Sequence, residues 1–210
     1  MPNKPLKVRS NSTRDSVKPT QLNSIAFQEL WNAYPSKDPY DDKTGQYENQ
    51  CAIRMSVTFH NIGSDMKSFS QKVVKPMPGK KVLGRLMLND KPTATRAYEL
   101  AEWLKLQPLL GLGKPENITG ADWQSKVKGR TGIIYFFGYW RQDGDSSDNL
   151  SGGHIDLWNK DTLTPNWASF LRFRVGMSSM PNPLSWLRGR RDNAFSDLAN
   201  SKEILFWEVK

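Results

Sequence analysis

Apolar side chains at Phe27, Leu30, Trp31 and Tyr34 recur at i, i+3, i+4 and i+7. That spacing predicts a helix, and Pro35 marks its end. A second helix is expected over about 51–62, where Ala52, Met55, Ser56 and Phe59 share a face and Gly63 stops it. A third is expected over about 94–106 on the stripe Ala97, Leu100, Ala101 and Leu104. Thr119 with Asp122 reads as a capping box that opens a further short helix. Then the period changes. "TGIIYFFGYW" (131–140) is β-branched and aromatic, as a central strand is. "HIDLWN" (154–159) is a short strand with His154, Asp156 and Trp158 on one face and Ile155 and Leu157 on the other. "FLRFRV" (170–175) and "EILFWEV" (203–209) supply two more strands. Helices come first and strands later, so the expected class is α+β with mainly antiparallel pairing.

The connecting stretches divide the chain. Residues 1–22 are rich in Pro, Ser, Asn and Lys and too poor in apolar groups to repay ordering, so they are expected to form a flexible basic N-terminal tail. Residues 23–210 then form one domain. Within it, 35–49 is polar and turn-rich, 64–92 reads as a long surface excursion, and 142–153 as a flexible loop.

Composition narrows the partners. The net charge of +9 favours an anionic one, and both nucleic acid and a carboxylate-rich cell wall qualify. The run "WLRGRRD" (186–192) suits either, or a solvated basic face. A nucleic-acid module would use the eight Trp and six Tyr as stacking platforms, but these fall mostly on apolar stripes and strands, where core packing explains them. No run of eighteen apolar residues predicts a membrane span. The polar, basic opening residues lack the apolar stretch of a secretory signal. One cysteine excludes an internal disulfide framework and a two-plus-two zinc site, and two histidines are too few for a His-rich one. No metal or cofactor is expected.

The lone Cys51 sits at the start of the second helix. A lone Cys is usually a small buried hydrophobe. A helix N-terminus, however, favours the thiolate through its unpaired N–H groups and dipole. A base is then needed. His60 is nine residues on in the same helix, about 13 Å away along the axis at 1.5 Å per residue. His154 opens a strand after two glycines, and the fold can return it to Cys51. A Cys on a core helix facing a His on the following sheet is the layout of papain-like hydrolases.

Five blocks carry a more specific signal: "FQELWNAYP" (27–35), "NQCAIRMS" (49–56), "GRTGIIYFFGYW" (129–140), "GGHIDLWN" (152–159) and "SDLANSKEILFWEV" (196–209). In this order they resemble the fourth family of type VI secretion amidase effectors. The resemblance implies a papain-like fold related to the NlpC/P60 peptidases, with N-terminal helices carrying the Cys packed on a mainly antiparallel sheet carrying the His. It implies injection by the type VI apparatus into a rival bacterium, and cleavage of peptidoglycan stem peptides in its periplasm. The bond attributed to the family is the γ-D-glutamyl–meso-diaminopimelate amide, and a cognate immunity protein protects the producer. The absence of an export signal and the positive charge both suit this reading. A housekeeping NlpC/P60-type cell-wall endopeptidase is the alternative within enzymes, but it would normally need such a signal.

Carried over, Cys51 matches the family's nucleophile and His154 its general base. The third member is normally an Asp after a Leu-Thr pair, and here "LWNKDTLTPNW" puts Pro165 at that position. Asn166, one residue on, is the favoured substitute, because an Asn can hold the imidazole as in Cys-His-Asn proteases. Asp161 and Asp156 are the alternates. Asp156 shares the face of His154 but lies about 6.6 Å along the strand at 3.3 Å per residue, which suggests a surface carboxylate. The oxyanion is expected to meet the Cys51 N–H and a donor among Gln46, Asn49 and Gln50.

Overall fold

The computed structural model describes residues 6–9, 17–20, 24–47, 49–140, 152–165 and 196–210. Within the expected N-terminal tail, β1 (Leu6–Arg9) and β2 (Val17–Thr20) pair as an antiparallel ribbon. Next come α1 (Phe27–Ala33) and α2 (Cys51–Asn61). Pro35 ends α1 by pushing Tyr34 out of helical geometry to φ −69°, ψ 126°. Gly63, at φ +91°, follows the end of α2 as its spacing predicted.

The segment 64–92 is not a surface excursion. Met66, Phe69, Val74, Met77 and Leu83 are all buried, and β3 (Arg85–Leu88) and β4 (Lys91–Ala94) close it as a hairpin. Its anchor is Glu99 on α3 (Ala97–Lys105), a buried carboxylate. Glu99 accepts from the backbone N–H groups of Met77 (2.9 Å) and Gly84 (2.6 Å) and from Arg96 (2.7 Å). A segment without apolar periodicity can still bury single side chains.

A five-stranded sheet forms the centre, in the order β5 (Pro115–Asn117), β9 (Glu203–Glu208), β6 (Thr131–Trp140), β7 (Gly152–Asn159), β8 (Thr162–Leu163). Every pairing in it is antiparallel. Its two faces serve two cores. Ile133, Tyr135, Ile155, Leu157, Leu205 and Trp207 pack against α1, α2 and α3. Ile134, Phe136, Trp158, Ile204 and Phe206 pack on the other side against Trp123 and Val127 of α4 (Trp123–Val127) and Leu198 of α5 (Ser196–Ala199). Alternation along each strand produces this division directly.

Two glycines are fitted to the sheet. A Cβ on Gly132 would stand 2.1 Å from the Trp207 carbonyl oxygen, so β6 and β9 approach too closely there for any side chain. Gly138 takes φ +69° where the β6–β7 register shifts between Phe137 and Trp140.

The capping box expected at Thr119 and Asp122 does not form. Asp122 precedes α4 without a side-chain cap and pairs instead with Lys126 at 2.9 Å. Thr119 is drawn to the sheet, where its hydroxyl donates to Asn117 (2.6 Å) and accepts from the Ile204 N–H (2.8 Å). The expected strand 170–175, the basic run 186–192 and Asn166 lie outside the described residues, as does most of the loop 142–153.

Candidate active site

Cys51 is the first residue of α2 and is buried. The turn of chain before it is held by Gln50, whose side-chain amide donates to the Tyr40 carbonyl (2.8 Å) and whose side-chain oxygen accepts from the Tyr40 N–H (3.1 Å). The Gln50 carbonyl accepts the first helical bond, from Arg54 at 2.8 Å. Ala52, Met55 and Phe59 then bury the helix face against the sheet, and α2 packs on β7.

β7 is the last long strand of the sheet, and β8 pairs with it only at Trp158 and Asn159. His154 is buried near its start. α2 packs on β7 and brings Cys51 close enough to act on the His154 ring, so helix start and strand do meet. Asp156 Oδ2 stands 3.5 Å from His154 Nε2. Asp156 is therefore not the surface carboxylate that strand spacing suggested: it is fully buried. The Cα spacing overstated the separation because two side chains on one strand face can lean toward each other.

The electrostatics follow from this geometry. Burial by itself would lower the pKa of His154. The charge of Cys51, with hydrogen bonds to Asp156 and to Cys51, overcomes burial and pushes it up to about 9. The imidazole thus holds its proton at neutral pH beside the sulfur.

The remaining candidates sort clearly. Asp161 lies in the exposed turn between β7 and β8. That turn is beyond the far end of β7 from His154, about 16 Å of extended chain at 3.3 Å per residue. Asn166 is outside the described residues. His60 is spent on structure, with Nε2 3.0 Å from the Pro92 carbonyl of β4. Among the possible oxyanion donors, Gln50 is engaged with Tyr40, and Gln46 is exposed. Asn49 acts as an acceptor, its Oδ1 taking the Cys51 N–H at 3.2 Å.

Sequence reasoning missed two residues here. Thr164 is buried and its hydroxyl lies 2.8 and 3.0 Å from the two carboxylate oxygens of Asp156. Tyr34 lies against Thr164, and burial together with the charge of Asp156 keeps its phenol neutral. In the sequence Tyr34 is one of the aromatic stripe of α1, and Thr164 carries no mark beyond preceding Pro165. Among the described residues no group of three or more His, Cys, Asp or Glu side chains could hold a metal ion, and no helix is long and apolar enough to cross a membrane.

No curated protein matches the chain. Among solved structures it is similar to the type VI effector Tae4 from Enterobacter cloacae, at 17% identity and a TM-score of 0.47, covering 91% of this chain and 100% of that one. It is also similar to the effector–immunity complex Tae4–Tai4 from Enterobacter cloacae, at 18% identity, TM-score 0.46, and 88% and 98% coverage. A third is the Salmonella typhimurium effector Tae4 in complex with Tai4 from Enterobacter cloacae, at 16% identity, TM-score 0.46, and 88% and 98% coverage. The family model for type VI secretion system amidase effector protein 4 matches residues 47–207, most of the chain, from just before the Cys51 helix to the last strand of the sheet. With that match, the chain belongs to the fourth family of type VI secretion amidase effectors.

Proposed function

We propose that this effector is a cysteine amidase that cuts the γ-D-glutamyl–meso-diaminopimelate amide of peptidoglycan stems, with Cys51 as nucleophile, His154 as general acid and base, and Asp156 as the group that orients His154. The observation that carries the assignment is the line of contacts Cys51–His154–Asp156 at the junction of α2 and β7. Substrate and bond come from the family resemblance of the sequence.

The chemistry uses these groups in turn. The Cys51 thiolate attacks the amide carbonyl carbon, a C–S bond forms, and the carbonyl oxygen becomes an oxyanion. The Cys51 N–H at the helix start serves that oxyanion, taking leave of Asn49 Oδ1 as it does so. The His154 imidazolium gives its proton to the departing diaminopimelate nitrogen, and the C–N bond breaks. Neutral His154 then removes a proton from water as it attacks the thioester. The γ-glutamyl carboxylate is released and Cys51 recovers its electrons.

Asp156 fits the orienting role because it is buried and faces Nε2 of the ring, which a carboxylate can hold in place. Delivery by type VI secretion leads to action in the periplasm of a recipient cell, and a cognate immunity protein of the kind bound in the Tae4–Tai4 complexes would protect the producer. Mass spectrometry of purified muropeptides incubated with the protein tests the assignment. The expected products carry a new γ-glutamyl carboxylate and a free diaminopimelate amine, and Cys51→Ala yields none. Cleavage by Cys51→Ala at the wild-type rate would overturn the cysteine mechanism.

A further inference from the structure

We propose that Thr164 is a positioning residue: its hydroxyl, shared between both oxygens of Asp156, fixes the carboxylate plane so that Oδ2 faces His154. The inference rests on the assignment of Asp156 as the group that orients His154.

The hydrogen-bond directions leave little freedom. Asp156 Oδ1 accepts from its neighbour's backbone, the Leu157 N–H at 2.8 Å, and from Thr164 Oγ1 at 2.8 Å. Those two donors meet at Oδ1, the Thr164 hydroxyl also reaches Oδ2 at 3.0 Å, and Oδ2 is the oxygen that faces Nε2 of the imidazole. A carboxylate torsion is broad and roughly two-fold when nothing constrains it, so the backbone bond alone does not define which oxygen serves the ring. The Thr164 hydroxyl has one proton and gives it to Asp156, so it meets any further partner as an acceptor. The phenol of Tyr34 lies beside it. Donation therefore converges on Asp156, from the Thr164 hydroxyl on one side and from the His154 ring on the other.

Thr164 reaches this position through the hairpin. The β7–β8 register pairs Asn159 with Thr162 and Trp158 with Leu163, and Thr164 follows directly after the end of β8. Lys160, at φ +61°, makes the reversal in the intervening turn. Leu163 is buried in the second core and pins the strand. The family's usual Asp position is Pro165, the residue after Thr164. The same short hairpin thus brings in a hydroxyl that serves a carboxylate already present on β7.

The test compares Thr164→Val, nearly isosteric and without a donor, with Thr164→Ser, which keeps one. Muropeptide turnover and the NMR titration of His154 are both measured. Thr164→Val is expected to lower kcat by about tenfold to a hundredfold, the range for leaving a buried hydrogen-bond partner unsatisfied, with KM little changed. Its His154 titration moves to lower pH, and Thr164→Ser returns most of both losses. A merely structural role would lower the melting temperature without moving the titration. If Thr164→Val does not fold, Thr164→Ala makes the same deletion with less bulk. Turnover within twofold of wild type and an unmoved titration overturn the proposal. Asp156→Asn separates the two levels: if it is inactive while Thr164→Val is normal, only the role of Thr164 fails, and if both are normal, the assignment of Asp156 fails with it.

Discussion

Asp156 and His154 stand two positions apart on one face of β7, and the carboxylate oxygen Oδ2 comes within 3.5 Å of the ring nitrogen Nε2. One strand therefore supplies both the proposed base and the group proposed to orient it, with no residue borrowed from another element. This gives a discriminating experiment. Asp156→Asn is expected to lower kcat by about 10²- to 10⁴-fold, the range for an orienting group that loses its charge, and to leave the fold intact by circular dichroism. Asp161→Ala, in the exposed turn, is expected to stay near wild type. Should Asn166→Ala lose turnover while Asp156→Asn keeps it, the orienting role moves to Asn166.

The raised pKa of His154 sets a pH dependence. Its folded value of about 9 exceeds the ordinary 6.5, so the folded protein holds this proton more tightly than the unfolded chain. The resulting stability is fully present below about 6.5 and is lost as pH rises through about 9. Proton donation to the leaving amine fails over the same upper limb, so kcat/KM is expected to fall above about pH 9. In Cys51→Ala the charge and the hydrogen bond of the thiol are gone, burial counts for more, and the His154 titration moves down. NMR titration of the imidazole checks both directions. An unchanged midpoint in Cys51→Ala would show that the sulfur does not govern the ring.

Glu99 is the predicted weak point of stability. Its carboxylate answers two buried backbone N–H groups and the Arg96 guanidinium. Glu99→Ala leaves all three donors without it, and removing one partner of a buried ionic set costs about 3–5 kcal/mol. The expected result is a clearly lower melting temperature, with early proteolysis within 64–92. Wild-type thermal stability would show that the segment is held by its apolar anchors alone.

Gly132 tests the sheet centre. Its absent Cβ would meet a backbone oxygen of β9 and the Phe206 ring, and the oxygen cannot swing aside as a side chain can. Gly132→Ala is expected to destabilise the protein by about 1–3 kcal/mol or more, as overpacking does. Urea denaturation measures it. A midpoint unchanged from wild type would mean that β6 and β9 can part without loss.

Much of this was legible in the sequence because the responsible signals are local. The stripe at Phe27, Leu30, Trp31 and Tyr34, the run 131–140 and the alternation at 154–159 each report which face is buried, and each element formed. Cys51 at the start of α2 and His154 on β7 followed from the same marks. What stayed hidden depends on long-range contacts. Glu99 reads as a surface charge until the chain from Met77 to Gly84 folds over it. Thr119 reads as a cap until β9 arrives with the Ile204 N–H. Thr164 gains meaning only once the turn after β7 brings the chain back beside Asp156.

The alternation of β7 has a consequence for how this enzyme can vary. Even-numbered positions 154 and 156 hold the proposed catalytic groups, and odd-numbered positions 155 and 157 hold Ile and Leu of the first core. Parity, more than the length of the β6–β7 connection, is thus what inheritance must preserve. A hairpin can grow or shrink at its tip with small entropic effect. A slip of one residue along β7 would exchange the two sets, putting an imidazole and a carboxylate into the apolar layer under α2 and two aliphatic side chains beside the sulfur. Such a slip would strike stability and catalysis together, so selection for a folded sheet also guards the register on which the chemistry depends.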